Sequence, residues 1–291
     1  MKKLFCKLPP LQWVAFLLAL IASALQIAAM LLDIAPGSNY FIVGRPLPVI
    51  APIVAILALG SGVAVLLPLK KKRPLAAYPA KLRKLHLFPA FGFFVAFGGL
   101  LRFFIRKGVT LWEKHTDGEK FLAELLAGSS KITLLCLPLL LCAAFYCLNR
   151  ALSKNENRTT VTLLGLATMV ACGLLVTHIY FDFSIELNAP VRTMLQAGIL
   201  SAVALFTAET RQLLNKPCAT LLWLTAELTL VCATFSSVAI IVAYLTNILP
   251  NNRFDHFCYA IFLLFMIPAA LEHILTIQIS SSEPDTERTS I

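Results

Sequence analysis

The sequence predicts an all-α integral membrane protein, a polytopic bundle of about eight transmembrane helices. Three observations carry that expectation. The chain of 291 residues is 58% hydrophobic and only 14% charged, whereas soluble domains carry roughly a quarter charged residues. Its mean hydropathy is +0.80. The apolar residues are gathered into long runs, and a spanning helix needs about 20 of them to cross about 30 Å of hydrocarbon. The runs are unbroken rather than alternating, which speaks against a membrane β-barrel.

The first run, Pro10 to Leu32, follows the basic start Lys2, Lys3 and Lys7. Ala22-Ser23-Ala24 resembles a signal-peptide cleavage site, but the apolar stretch continues to Leu32, so a retained first helix is expected. The later runs cover 49–69, 87–105, 132–148, 161–180, 192–214, 218–248 and 257–279. The second contains Pro52 and Pro68, the third is rich in phenylalanine, and the fourth contains Pro138. The seventh is long for one crossing and must tilt, kink or overshoot. Residues 1–279 form one transmembrane domain, and 280–291 is read as a disordered cytoplasmic tail.

Orientation follows from the Lys and Arg distribution. With the N-terminus inside, most of the 25 basic residues become cytoplasmic. The densest group is Lys70, Lys71, Lys72, Arg73, Lys81, Arg83 and Lys84, between the second and third helices. Both termini are then cytoplasmic, in a plasma membrane, with the short loops and lysine-rich turns of a bacterial inner-membrane protein. The net charge of +10 thus reads as an orientation signal facing anionic lipid and not as a nucleic-acid surface. Homo-oligomers or a protein partner are compatible with this composition.

Between the third and fourth helices, Thr116 and Glu119 have capping-box spacing, and Phe121, Leu122, Leu125 and Leu126 form one apolar face before Gly128. This reads as a short amphipathic helix on the outer interface. A weak echo links Asp33 and Ala35-Pro36 after the first helix to Asp182 and Ala189-Pro190 after the fifth. It suggests a parallel four-plus-four repeat, an arrangement known among transporters.

Ionisable residues inside membrane helices are costly and are functional suspects. Glu227 lies about ten residues into the seventh helix, so about 15 Å along it. With Thr220, Thr234 and Ser237 it forms a polar stripe that could line an ion or substrate path, or tie helices together. His178, Asp182 and Glu186 are spaced four apart at the outer end of the fifth helix. They share a face if that helix runs to about Asn188, and could gather protons or a divalent cation. Solvated charges at a helix end are the plainer reading.

Glu209 is expected to pair with Arg211 near the inner interface, and Glu272-His273 to form an interfacial dyad, with a proton relay as the alternative. Gln12, Ser23 and Gln26 are expected to hydrogen-bond between helices. Arg102 and Arg106 can snorkel to headgroups and receive no role.

No catalytic residue, cofactor or metal site is expected. There is no GxxxxGK[ST] phosphate loop and no HExxH. Gly60-Ser61-Gly62 lacks the flanking glycine of a nucleophile elbow and reads as close helix packing. The eight cysteines contain no CxxC pair and read as buried thiols. Three function classes stay open: a transporter or ion-coupled permease, a non-catalytic membrane subunit or regulator, and a membrane-embedded lipid-modifying enzyme. The polar stripe and the repeat incline the reading to the first.

Overall fold

The computed structural model describes residues 8–35, 37–66, 80–114, 118–127, 129–152, 158–182, 186, 189–214, 218–249 and 253–282. Its helices are α1 Pro10–Leu32, α2 Leu47–Ala64, the single turn α3 Ala80–Arg83, α4 Leu87–Lys114, α5 Gly118–Leu125, α6 Ser129–Leu152, α7 Arg158–Tyr180, α8 Pro190–Leu213, α9 Ala219–Leu245 and α10 Phe254–Ser282. A 3-10 turn at Lys84–His86 leads into α4. Eight of these helices are long and apolar enough to cross a bilayer, so the fold is that of a multi-pass membrane protein. Lipid cannot hydrogen-bond to backbone groups, and the helix satisfies them internally.

The packing has two parts. Helices α4, α6, α7, α8, α9 and α10 close into a ring in which each packs on the next, and α8 also meets α10 across it. The α1–α2 hairpin docks against α9. The difference shows in burial: α8, α9 and α10 are more than half buried over their most apolar stretches, and α2 only 17%. Under the four-plus-four repeat, the α1–α2 and α7–α8 pairings correspond, as do α4–α6 and α9–α10. The extensive α8–α9 packing has no counterpart between α2 and α4 among the described residues.

Several helices run past their expected limits. α4 continues to Lys114 and α6 begins at Ser129, because their polar end turns keep bonding beyond the apolar run. α10 extends through Ser282, so the first residues of the expected tail are helical, and 283–291 lie outside the described residues. The amphipathic helix is α5, laid beside the end of α4, with Trp112 and Phe121 edge to face at 5.5 Å. Thr116 and Gly128, expected to bound it, lie outside the described residues, as does the basic segment at 70–73.

Prolines sit inside α2 (Pro52), α6 (Pro138) and α10 (Pro268). Many intramembrane hydroxyls bond back to their own helix, including Thr168 to Leu164, Thr177 to Gly173 and Thr225 to Leu221, and so need no other partner.

Candidate functional site

Among the described residues, most of the buried ionisable side chains fall into three groups. One lies toward the end that holds Pro10 and Ser282, called here the terminal end. A second lies at the opposite, far end. The third is the seam between the hairpin and α9.

The terminal-end group centres on His86, in the turn before α4. Its Nδ1 lies 2.6 Å from Glu272 Oε2 of α10, and its Nε2 lies 3.1 Å from Glu209 Oε1 of α8. Arg150 of α6 donates its Nε to the same Glu209 oxygen at 3.0 Å. His273 Nε2 stands 3.8 Å from Glu209 Oε2, and its ring meets that of His86 edge to face at 5.7 Å. All five residues are buried. Tyr146 of α6 is also buried, and its hydroxyl has no hydrogen-bond partner among the described residues.

These positions correct the expectation for Glu209. Glu209 does not pair with Arg211, which is exposed. It faces inward, where a guanidinium and an imidazole offset the cost of burying a carboxylate. Glu272 and His273 face into the bundle and are fully enclosed, because α10 is the most buried spanning helix.

A neutral imidazole offers one N–H and one acceptor nitrogen, while a carboxylate only accepts. His86 between two carboxyl groups therefore needs one further proton. That proton sits either on the ring, making an imidazolium, or on one of the carboxyl groups. Glu272 Oε1 has no hydrogen-bond partner among the described residues, so the triad has spare capacity for a proton.

The far-end group is built on Arg253, just before α10. It donates to Asp182 and, through Nη2 at 2.6 Å and Nε at 3.0 Å, to both oxygens of Asp255. His256 Nε2 is 4.0 Å from Asp182. Burial works against the Arg253 charge, but the Asp255 and Asp182 carboxylates outweigh it and hold the guanidinium above its ordinary range.

The fifth spanning helix, α7, ends at Tyr180 and does not reach Asn188. Arg192 of α8 donates to the carbonyls of Tyr180 and Asp182, and a cation on the last carbonyls suits a helix C-terminus. His178, Asp182 and Glu186 consequently part company. His178 Nδ1 lies 3.1 Å from the Thr133 hydroxyl of α6, Asp182 turns to Arg253, and Glu186 accepts from Asn39 Nδ2 at 2.8 Å.

Glu227 belongs to the seam. It is fully buried, and Gln12 of α1 donates to its Oε1. Its Oε2 has no hydrogen-bond partner among the described residues and faces Gly62 of α2, where an added Cβ would come within 2.5 Å of it. One turn earlier, Trp223 donates to the Gly62 carbonyl at 3.1 Å. Further along α9, the Thr234 carbonyl accepts from Ser23 Oγ of α1 at 3.0 Å. Ser237 is buried, with no hydrogen-bond partner for its hydroxyl among the described residues. Gln26 donates to Met194 Sδ at 3.2 Å, so Gln12, Ser23 and Gln26 all bond between helices as expected.

Two sets have ligand atoms close enough together for a metal ion: His86, Glu209 and His273, and Asp182, Asp255 and His256, each within 4.8 Å of one another. In both, a guanidinium already neutralises the carboxylates, Arg150 in the first and Arg253 in the second. An added divalent cation would have to displace or repel that arginine, so the donor sets suit ion pairing better than metal binding.

The chain matches no protein-family model, no curated protein and no solved structure.

Between the two ionic groups lies an apolar layer. Phe93 of α4 packs on Phe262 of α10 at 4.7 Å and on Phe206 of α8 at 5.7 Å. Asp255 and Glu272 stand on opposite sides of this layer, roughly 25 Å apart along α10 by the helical rise.

Proposed function

We propose that the chain is a transporter or ion-coupled permease of the plasma membrane, with both termini cytoplasmic and His86, Glu209 and Glu272 as its proton-holding centre. The observation that carries this reading is the pair of short contacts from His86 to Glu272 and Glu209. They join three helices through one proton inside an apolar bundle. Intramembrane ionisable clusters of this kind serve proton relays in pumps and transporters. Protonation changes the number of bonds that tie α4, α8 and α10, which gives a helix rearrangement something to depend on. The second ionic group beyond the aromatic layer supplies a matching polar region at the far end. Glu227, Thr234 and Ser237 enter this proposal as the seam that holds the hairpin to the transporting body, and His178, Asp182 and Glu186 as the far-end mouth. Anionic lipid at the basic 70–84 loop is the proposed partner at the cytoplasmic surface.

The test is proton flux in liposomes under an imposed pH gradient, with panels of cations, sugars, amino acids and organic anions. Wild type should dissipate the gradient in the presence of its solute. Glu272→Gln, which keeps the shape but cannot take up a proton, should not, while melting at an unchanged temperature. Flux insensitive to Glu272→Gln would remove this centre from the mechanism. No flux with any class of solute would favour a non-catalytic membrane subunit, for which the same bonds serve only as ties between helices.

A further inference from the structure

At the far end, a cavity of about 360 Å³ opens between α4, the end of α9 and the start of α10. Its charged lining is Arg102, Arg106, Arg253 and Asp255. Both oxygens of Asp255 are taken by Arg253. Arg102 and Arg106 stand one helical turn apart on α4 and have no ion-pair partner among the described residues. Arg102 is held over the Phe254 ring at 4.1 Å, and Arg253 over the Phe103 ring at 4.8 Å. Stacking on an aromatic face fixes the Arg102 guanidinium's plane while leaving its edge N–H groups able to donate, whereas those of Arg253 are engaged by Asp255 and Asp182.

We propose that this cavity is a binding site for a phosphate-bearing ligand, held by Arg102 and Arg106. Arg253 is already offset by Asp255 and Asp182, so Arg102 and Arg106 leave the cavity short of negative charge. Planar guanidinium forks match phosphate oxygens in bidentate pairs. The volume lies within the range of small-ligand pockets, and Phe103, Phe254 and Tyr244 give it apolar walls. A cavity walled by aromatic rings differs from simple snorkelling, which needs no enclosure. The ligand's phosphate comes either from a lipid headgroup in the adjoining leaflet or from a soluble organic phosphate. The site stands independently of the permease reading, because it is tested by equilibrium binding alone.

Purified protein in a neutral maltoside detergent is titrated with glycerol 3-phosphate and, separately, with dihexanoyl phosphatidylglycerol. Dihexanoyl phosphatidylcholine and sodium acetate serve as controls, and binding is read by calorimetry. Saturable binding of at least one phosphate probe, in preference to acetate, is expected. Preference for the phosphatidylglycerol identifies a headgroup site, and preference for glycerol phosphate a soluble ligand. The exposed pair R102Q/R106Q should leave the melting temperature unchanged without ligand and weaken binding by at least about tenfold, the loss of one or more charge-assisted hydrogen bonds. Absence of saturable phosphate binding by folded wild type overturns the proposal. So does equal affinity in the double variant, or acetate binding as tightly as phosphate. If R102Q/R106Q proves unstable, the single variant R106Q carries the same comparison.

Discussion

Glu209 and Glu227 are equally buried, at 1% and 0% exposure, yet the bundle accommodates them in different ways. Glu209 sits in the six-helix ring among Arg150, His86 and His273, so its charge is answered by neighbouring charge. Glu227 sits at the hairpin seam with a neutral Gln12 donor and a glycine backbone, and no basic side chain pairs with it among the described residues. Glu209 is thus tied into an ionic network drawn from several segments, and Glu227 into a neutral contact between the hairpin and α9. In the proposed reading the first is the working centre and the second a joint.

The sharpest way to break that contrast is Arg150→Met. It leaves Glu209 enclosed without its guanidinium, and breaking a buried pair by removing one partner costs about 3–5 kcal/mol. Thermal unfolding in detergent should show a large loss of folded protein, and Glu209→Gln in the same chain should recover part of it. Wild-type stability in Arg150→Met would mean that the terminal-end group is not a compensated centre.

A smaller effect is expected at Gly62→Val. The new side chain would enter the space held by Glu227 Oε2, and overpacking of this kind costs about 1–3 kcal/mol. Glu227→Ala should relieve it, so a double-mutant cycle read by melting should give clear coupling between the two positions. Strictly additive effects would place Glu227 elsewhere than against α2.

Smallest of all is Glu227 itself. Glu227→Leu should cost about 1 kcal/mol, typical of an intramembrane hydrogen bond. Glu227→Gln, which can still bond to Gln12, should change stability less. Its proton flux in liposomes should match wild type. Flux abolished by Glu227→Gln in a stable protein would move this residue from the joint to the transport path and erase the distinction between the two carboxylates.

The sequence was most legible where one long apolar run means one helix. All eight spans were anticipated, and so was the amphipathic α5, because helix length and amphipathic period are local properties. The hydrogen-bonding roles of Gln12, Ser23 and Gln26 were legible too, since polar residues on one face of an apolar helix must meet a partner helix. The terminal-end centre was not. His86 follows a basic stretch and carries no signal of its own in the sequence, and Arg150 reads as an orientation charge. Glu209 has Arg211 two positions away, which invites a local pairing. Glu272 and His273 were visible as a dyad, but their enclosure follows from how α10 packs in the bundle. The joint presence of Glu209 and Glu272-His273 near the same ends of two helices was the available signal.

By itself, the sequence determined that the chain crosses a bilayer, how many times, and which side chains are costly there, because water-to-lipid transfer acts on each helix separately. Tertiary structure alone decided which of those costly residues meet. His86, Arg150, Glu209 and Glu272 come from four separate segments. Their convergence depends on the closing of the α4-to-α10 ring, in which a buried charge is stable only where an opposite charge from another helix reaches it.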